Sequence, residues 1–86
     1  MKYYTYVRTI GLVDDYDIRL EANTVRELFK SAYSTARKVT HNGACDKATF
    51  AIWKGVSVDT FYDIKIGKRL YVTYDANKQC YTLKWR

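Results

Sequence analysis

The side chains best suited to chemistry lie near the middle of the chain, where His41, Cys45 and Asp46 fall within six residues of one another. These three side chains could supply metal ligands, and His41 with Cys45 could act as a base and a nucleophile. A structural zinc site needs four ligands, usually in tighter pairs, and loop spacing alone fixes no catalytic geometry. We therefore predict no metal, no cofactor and no catalytic residue, and we interpret His41 as a cation that closes a helix.

Two further groups of residues allow a chemical interpretation. Asp14, Asp15 and Asp17 could surround a cation, although a solvated turn is the commoner use of such a run. Cys45 and Cys80 could form a disulfide, but nothing in the sequence indicates an oxidising compartment, so we expect free thiols. The chain has no glycine-rich phosphate loop and no Cys-x-x-Cys pair. The sequence thus predicts a protein that is not an enzyme.

The charge of the chain points to a binding function. The sequence holds 15 Lys and Arg residues against 9 Asp and Glu residues, for a formal net charge of +6. Twelve of these cations and five of these anions lie in residues 22–86. A basic domain attracts polyanions, and nucleic acid is the commonest polyanion in a cell. The alternative is that a net charge of this size only keeps a small domain soluble.

The length and composition predict one folded domain over residues 1–86. Hydrophobic residues make up 48% of the chain and aromatic residues 16%, whereas disordered chains are poor in both. No apolar run approaches the roughly 18 residues of a membrane span, and residues 1–10 lack the apolar block of a secretory signal. We therefore expect a soluble, cytoplasmic protein that has no membrane partner.

One helix is predicted by its boundaries and by its period. Thr24 followed by Glu27 fits a capping box, and Asn42 with Gly43 supplies a stop signal. These signals predict a helix over residues 25–40. Apolar residues recur between them at helical spacing, at Val25, Leu28, Phe29, Ala32, Ala36 and Val39.

Strands are predicted on both sides of this helix. Residues 2–10 are rich in aromatic and β-branched residues, and residues 16–22 alternate with a period of two, so the two segments should pair as a hairpin. Gly67 and Lys68 predict a tight hairpin turn in the second half of the chain. The strands predicted there cover residues 49–54, 61–66, 69–74 and 80–86.

This order of elements predicts an α+β fold: an antiparallel β-sheet of five or six strands with one α-helix packed on one face, in a ββαβββ-type order. One helix covers only one face of such a sheet. We expect the covered face to carry Ile18, Leu20, Ile64, Ile66, Leu70, Val72 and Leu83. We expect the opposite face to carry Phe61, Lys65, Arg69, Tyr71, Thr82, Lys84 and Arg86.

The predicted uncovered face interleaves cations with aromatic rings, a combination that nucleic-acid-binding proteins use. Lys and Arg neutralise phosphates, while rings and guanidinium planes stack on bases. The same alternation is also ordinary strand chemistry, and the strand order decides whether the side chains are neighbours. Trp85 is a further candidate for stacking, although its phase places it on the covered face. On the uncovered face, we predict that nucleic acid is bound by Lys65, Arg69, Tyr71, Lys84 and Arg86.

The helix offers a second basic surface. Arg26, Lys30, Tyr33 and Arg37 fall within an arc of about 60° on a helical wheel, beside the apolar stripe. We predict that the three cations of this row, Arg26, Lys30 and Arg37, contact phosphates. The alternative is a solvated helix face whose Lys and Arg stems cover the apolar edges.

The layout of the chain resembles a class of bacteriophage proteins. Residues 20–38 pass from an alternating strand into a capped helix, with the sequence LEANTVRELFKSAYSTARK. Residues 69–86 form a predicted hairpin rich in rings and cations, with the sequence RLYVTYDANKQCYTLKWR. This layout resembles that of small phage counter-defence proteins, among them anti-CRISPR proteins and inhibitors of toxin endoribonucleases. The resemblance rests on no shared motif and transfers no functional residue, and it implies a stoichiometric inhibitor.

These observations together predict a non-enzymatic phage counter-defence protein that binds nucleic acid, RNA ahead of DNA, and inhibits a host nuclease or toxin. The alternative is an inhibitor of the anti-CRISPR type, which binds a host effector protein without nucleic acid. Its anchor would be the tyrosine-rich first strand or an exposed sheet edge. Exposed edge strands also leave a homodimer open.

Overall fold

A computed structural model describes residues 3–11, 17–41, 46–55 and 63–86. Five strands form one antiparallel sheet in the order β2-β1-β3-β4-β5, and a single helix of the described chain packs on it between β2 and β3 in sequence. The α+β fold and the ββαβββ order predicted from the sequence are thereby confirmed. The elements are β1 (Tyr3–Ile10), β2 (Asp17–Ala22), α1 (Val25–His41), β3 (Lys47–Gly55), β4 (Asp63–Asp75) and β5 (Cys80–Trp85).

Helix α1 begins where the capping signal predicts. The Glu27 N–H donates to Thr24 Oγ1 at 3.2 Å, and the Leu28 N–H donates to the Thr24 carbonyl at 3.1 Å. The predicted stop at residues 42–43 lies outside the described residues. Among the residues that the structure describes, no helix is long and apolar enough to cross a membrane. The buried side of α1 repeats every fourth residue, at Leu28, Ala32, Ala36 and Thr40.

The hydrophobic core lies between α1 and the central strands. Two alanines of α1 keep its buried side small, so that the helix approaches the sheet closely over Phe50, which is 1% exposed. Because alternate residues of a strand point to opposite faces, this contact defines a helix side of the sheet and leaves an open face behind it. The core is formed by Val7, Ala32, Ala36, Ala48, Phe50, Leu70 and Val72.

The hairpin predicted at Gly67 and Lys68 is wrong, because β4 runs through both residues without reversing. Strand β3 pairs with both halves of β4, and between these pairings its single residue Ala51 lies opposite the three residues 67–69. Gly67 has a φ of 74°, a left-handed conformation that suits a bulge as well as a turn. The glycine in the local sequence therefore indicated a departure from regular strand conformation. Pairing of β3 with both halves of β4 determines that this departure is a bulge and not a turn.

Candidate nucleic-acid interface

The register of the strands assembles the predicted binding residues on the open face. Tyr71 lies directly opposite Lys84, and Lys65 lies directly opposite Trp53. Residues paired in this way share a face, and the neighbours of Tyr71 along β4 point into the core instead. Together with Arg69 and Arg86, which are also neighbours across β4 and β5, these residues form a continuous surface on β3, β4 and β5. We call it the basic half of the open face: Trp53, Lys65, Arg69, Tyr71, Lys84 and Arg86.

Two arginines of the basic half are placed side by side. Arg69 and Arg86 exchange two backbone hydrogen bonds of 2.9 Å, so their Cα atoms are about 5.5 Å apart. The guanidinium carbon of Arg86 also lies 5.9 Å from the centre of the Tyr71 ring. Like charges on directly opposite residues destabilise a sheet. The folded chain therefore holds two positive charges together at a cost that a bound anion would relieve.

The cations of the basic half have no acidic partner among the described residues. Asp75 lies at the far end of β4, where its carboxylate accepts the backbone N–H groups of Asn77 and Lys78 at 3.0 and 3.3 Å. Opposite it, Cys80 is exposed and carries a free thiol, as expected from the sequence, while Cys45 lies outside the described residues. Among the side chains that the structure describes, no ion pair neutralises the positive charge of the basic half.

The opposite end of the same face, on β1 and β2, is electrostatically different. Arg8 Nε lies 3.2 Å from the carboxylate of Asp17, and Arg19 lies 2.8 Å from the carboxylate of Glu21. Both ion pairs are exposed, so each contributes little to stability. Each nevertheless places an anion beside its cation. We call these four residues, with Tyr4 and Tyr6, the ion-paired half of the open face.

Arg19 is the most constrained cation of the ion-paired half. Its guanidinium donates to Glu21 and to the Tyr6 hydroxyl, and these hydrogen bonds, the one to Glu21 first, raise its pKa above the usual value for arginine. The same group lies 4.9 Å from the ring centre of Tyr4 and 5.3 Å from that of Tyr6. All three nitrogen atoms of this guanidinium therefore donate hydrogen bonds within the chain, and its plane lies near two rings.

Trp53 was not among the residues predicted from the sequence. Its half-buried side chain lies on the open face between Tyr4 and Lys65, which it faces on β1 and β4. Sequence alternation along β3 contained the signal, because Lys47, Thr49 and Trp53 share one phase of a period of two. Lys47 extends the same positive surface at the beginning of β3. Of the other predicted open-face residues, Thr82 is there and Phe61 lies outside the described residues.

The three cations predicted on the helix lie on the other side of the sheet. The Arg37 guanidinium is held between two rings, 4.7 Å from the centre of Tyr81 and 5.6 Å from that of Tyr33. Arg26 and Lys30 are exposed on α1, and Lys30 lines a groove together with Glu21 and Ala22 of β2 and Asn23. The eight residues predicted to bind nucleic acid thus form two separate sets, and the larger one lies on the open face.

Two residues expected to be covered by the helix are exposed. Ile64 and Leu83 lie on the helix side of the sheet, as predicted, but are 52% and 43% exposed. Trp85 shares their side and is 51% exposed. The reason is geometric: a helix is about 10 Å wide, whereas five strands span roughly 19 Å. Helix α1 packs on β1 to β4 and leaves the margin formed by β5 largely uncovered, which accounts for Leu83 and Trp85. Ile64 lies instead near the beginning of β4, opposite Lys54.

The residues considered for metal or nucleophile chemistry are not assembled in the described part of the chain. Cys45, Asp14 and Asp15 lie outside it. His41 is the last residue of α1, and its ring centre lies 4.7 Å from that of Tyr74. Among the residues that the structure describes, no group of three or more His, Cys, Asp and Glu side chains could hold a metal ion.

Comparison with known proteins gives no relative: no protein-family model, no curated protein and no solved structure matches this chain. The charge and geometry of the open face therefore carry the functional conclusion.

Proposed function

We propose that this chain is a non-enzymatic, cytoplasmic protein that binds single-stranded nucleic acid, RNA in preference to DNA, on the basic half of its open face. The observation that carries the proposal is the cross-strand neighbourhood of Arg69 and Arg86, with Lys84 beside Tyr71 and no acidic partner within the described residues. A polyanion supplies the missing negative charge. Release of its counterions supplies much of the free energy of binding.

A single strand suits this surface better than a duplex does. The face is an open sheet with the rings of Tyr71 and Trp53 among its cations, and unpaired bases can stack on such rings. In a duplex the bases are already stacked on each other. Hydroxyl groups at Tyr71, Thr73 and Thr82 on the same face can hydrogen-bond the 2′-OH, which is the group that distinguishes RNA from DNA.

The resemblance in layout to phage counter-defence proteins extends this proposal. As a stoichiometric factor, the protein would hold RNA on its sheet and so withhold it from a host nuclease or toxin. This role needs an affinity for RNA and a free basic surface. It requires no catalytic residue in this chain.

A salt titration of binding to a labelled 12-nucleotide single-stranded RNA tests the proposal. The double variant Lys84→Glu/Arg86→Glu removes two cations from the basic half and places two anions there. We expect at least a tenfold loss of affinity at about 50 mM salt, because two phosphate contacts are lost and repulsion replaces them. The slope of log K against log salt should become shallower by about 1.4, at 0.7 for each contact with a single strand.

The matched control is Lys38→Glu/Lys78→Glu, which makes the same change in net charge at exposed positions of α1 and of the β4–β5 turn. Its affinity should fall much less than that of the first double variant. Equal losses in the two variants would show that net charge, rather than the basic half, governs binding. Absence of RNA binding by the unmodified protein at 50 mM salt would refute the proposal.

A further inference from the structure

A cavity of about 220 Å³ lies on the helix side of the sheet, next to the uncovered margin at β5. It is bounded by the first turns of α1, by the bulge of β4 and by the end of β5. Its walls are apolar, and the charged residue in its lining is Lys68. The residues that line it include Val25 and Phe29 of α1, Ile66 and Gly67 of β4, and Trp85 of β5.

Trp85 gives this cavity a stacking surface. Its ring lies nearly parallel to that of Phe29, with an interplanar angle of 15° and a distance of 5.9 Å between ring centres. One side of the indole is thus occupied by an intramolecular partner, while 51% of the residue remains exposed. Both rings line the cavity, so a flat ring that enters it would contact them and remove apolar surface from water.

The cavity is connected to the basic half through the chain itself. Lys68 lines the cavity and is followed by Arg69 on the open face, and Trp85 is likewise followed by Arg86. Strand β5 lies at the edge of the sheet, so a polymer on the open face can pass around this edge to the helix side. Phosphates at the two arginines and a base at Trp85 would then be separated by the thickness of one sheet.

We infer that this cavity takes one nucleobase of the same single-stranded RNA whose phosphates lie on the basic half. The inference rests on the proposed function and adds to it a site that selects a base. The charges around the cavity match a nucleic acid, since Lys68 lines it and Arg26 is exposed at the same end of α1. A flat base in the cavity can stack on the rings of Phe29 and Trp85. The backbone phosphates on either side of that base can then contact Lys68 and Arg26.

The two tryptophans of the chain allow each surface to be observed separately. Trp53→Phe leaves Trp85 as the reporter of the cavity, and Trp85→Phe leaves Trp53 as the reporter of the basic half. Titration with a 12-nucleotide oligoadenylate RNA should quench the fluorescence of both variants, because adenine stacks on both indoles. Inorganic polyphosphate of similar length has phosphates and no bases, so it should leave the fluorescence of Trp85 unchanged.

Affinity measurements complete the test. Trp85→Ala should weaken binding of the oligoadenylate by about tenfold, within the range measured for loss of one stacked base, and Trp85→Phe should restore most of it. The matched control is Leu83→Ala, on the same strand and the same side, with a similar exposure of 43% but outside the cavity. Its affinity should change by less than about twofold, because a base at Trp85 does not contact it.

The outcomes separate this inference from the proposed function. Quenching of Trp53 without quenching of Trp85 would leave RNA on the basic half and overturn the nucleobase cavity. Quenching of Trp85 alone would support the cavity and contradict the placement of RNA on the open face. Equal losses of RNA affinity from Trp85→Ala and Leu83→Ala would show that the effect is not specific to the cavity and would overturn the inference. No binding at all would overturn both proposals.

Discussion

The two halves of the open face are built from the same residue types and differ in what surrounds each cation. On β1 and β2, each arginine has a carboxylate within 3.2 Å. On β3, β4 and β5, the arginines and lysines face rings, hydroxyls or one another, with no acidic partner in the described chain. An exposed ion pair is worth only about 0–1 kcal/mol, so the pairs on β1 and β2 are not a large source of stability. Their main effect is on the potential that a ligand meets.

The difference between the two halves shows that the net charge of a protein does not determine the local potential on its surface. A net charge of +6 describes the whole chain, but a polyanion meets a local potential that falls off over about 8 Å at physiological salt. A phosphate approaching Arg8 or Arg19 must compete with a carboxylate that is already hydrogen-bonded there. A phosphate approaching Arg69 instead relieves repulsion from its neighbour.

The largest effect is expected when the ion-paired half is converted into a second basic half. Asp17→Asn/Glu21→Gln removes the two carboxylates and leaves Arg8 and Arg19 in place. We expect RNA affinity at about 50 mM salt to rise about tenfold, and the salt dependence to steepen by up to about 1.4, because two more cations can contact phosphates. A salt titration with an RNA long enough to cover the whole face measures both quantities.

The control for this conversion changes the net charge equally at other positions. Glu27→Gln/Asp46→Asn removes two carboxylates that lie off the open face, one on α1 and one before β3. A comparable gain of affinity in this control would show that the two halves do not differ in the way the ion pairs suggest.

A second prediction concerns the backbone under the two halves. Strands β1 and β2 pair in unbroken register, whereas β3 and β4 are interrupted by the bulge at Gly67. Gly67→Ala should lower the free energy of unfolding by about 1 kcal/mol, because a residue with a Cβ disfavours a φ of 74°. A Cβ there meets nothing within 4 Å, so the cost is conformational and not steric crowding by neighbours.

Urea denaturation measures this change, and Gly67→Asn is the matched variant. Asparagine tolerates the left-handed region better than alanine does, so it should recover part of the loss. If alanine and asparagine cost the same, or if alanine costs nothing, the bulge is not held by the conformation of this glycine.

The smallest expected effect is a pair of opposite changes in the free energy of unfolding. Arg69→Gln should raise the free energy of unfolding by about 0.5 kcal/mol, because it removes a like-charge pair across β4 and β5. Arg8→Gln should lower it by about 0.3 kcal/mol, because it removes the exposed ion pair with Asp17. Urea denaturation at low salt measures both changes, and high salt should reduce both. RNA affinity should fall for Arg69→Gln and stay the same for Arg8→Gln. If the two substitutions change the free energy of unfolding in the same direction, the proposed difference between the two halves is contradicted.

Much of the candidate site was predictable from the sequence, because the alternation of side chains along a strand depends only on neighbouring residues. Alternation along β4 and β5 placed Lys65, Arg69 and Lys84 on one face, and the register confirms that they share it. The helix was predictable for the same reason, since both its cap at Thr24 and its apolar period lie within a few residues. A period in sequence determines where a side chain points once the element has formed.

Three features depended on contacts between distant residues. The ion pairs of Arg8 and Arg19 could not be assigned from the sequence, because the first 21 residues offer several acids for three cations. The bulge at Gly67 needed β3 on both sides of it, and the exposure of Trp85 needed the position of α1 over the sheet.

The sequence alone thus specifies helix α1, the faces of the strands and the sign of the charge, because hydrophobic period and capping signals act over a few residues. The strand order β2-β1-β3-β4-β5 follows from pairing between residues far apart in sequence. That order brings acids beside the arginines of one half and places Arg69 against Arg86 in the other. Electrostatic potential depends on distance in space, so folding divides one net charge into a neutralised half and a basic half.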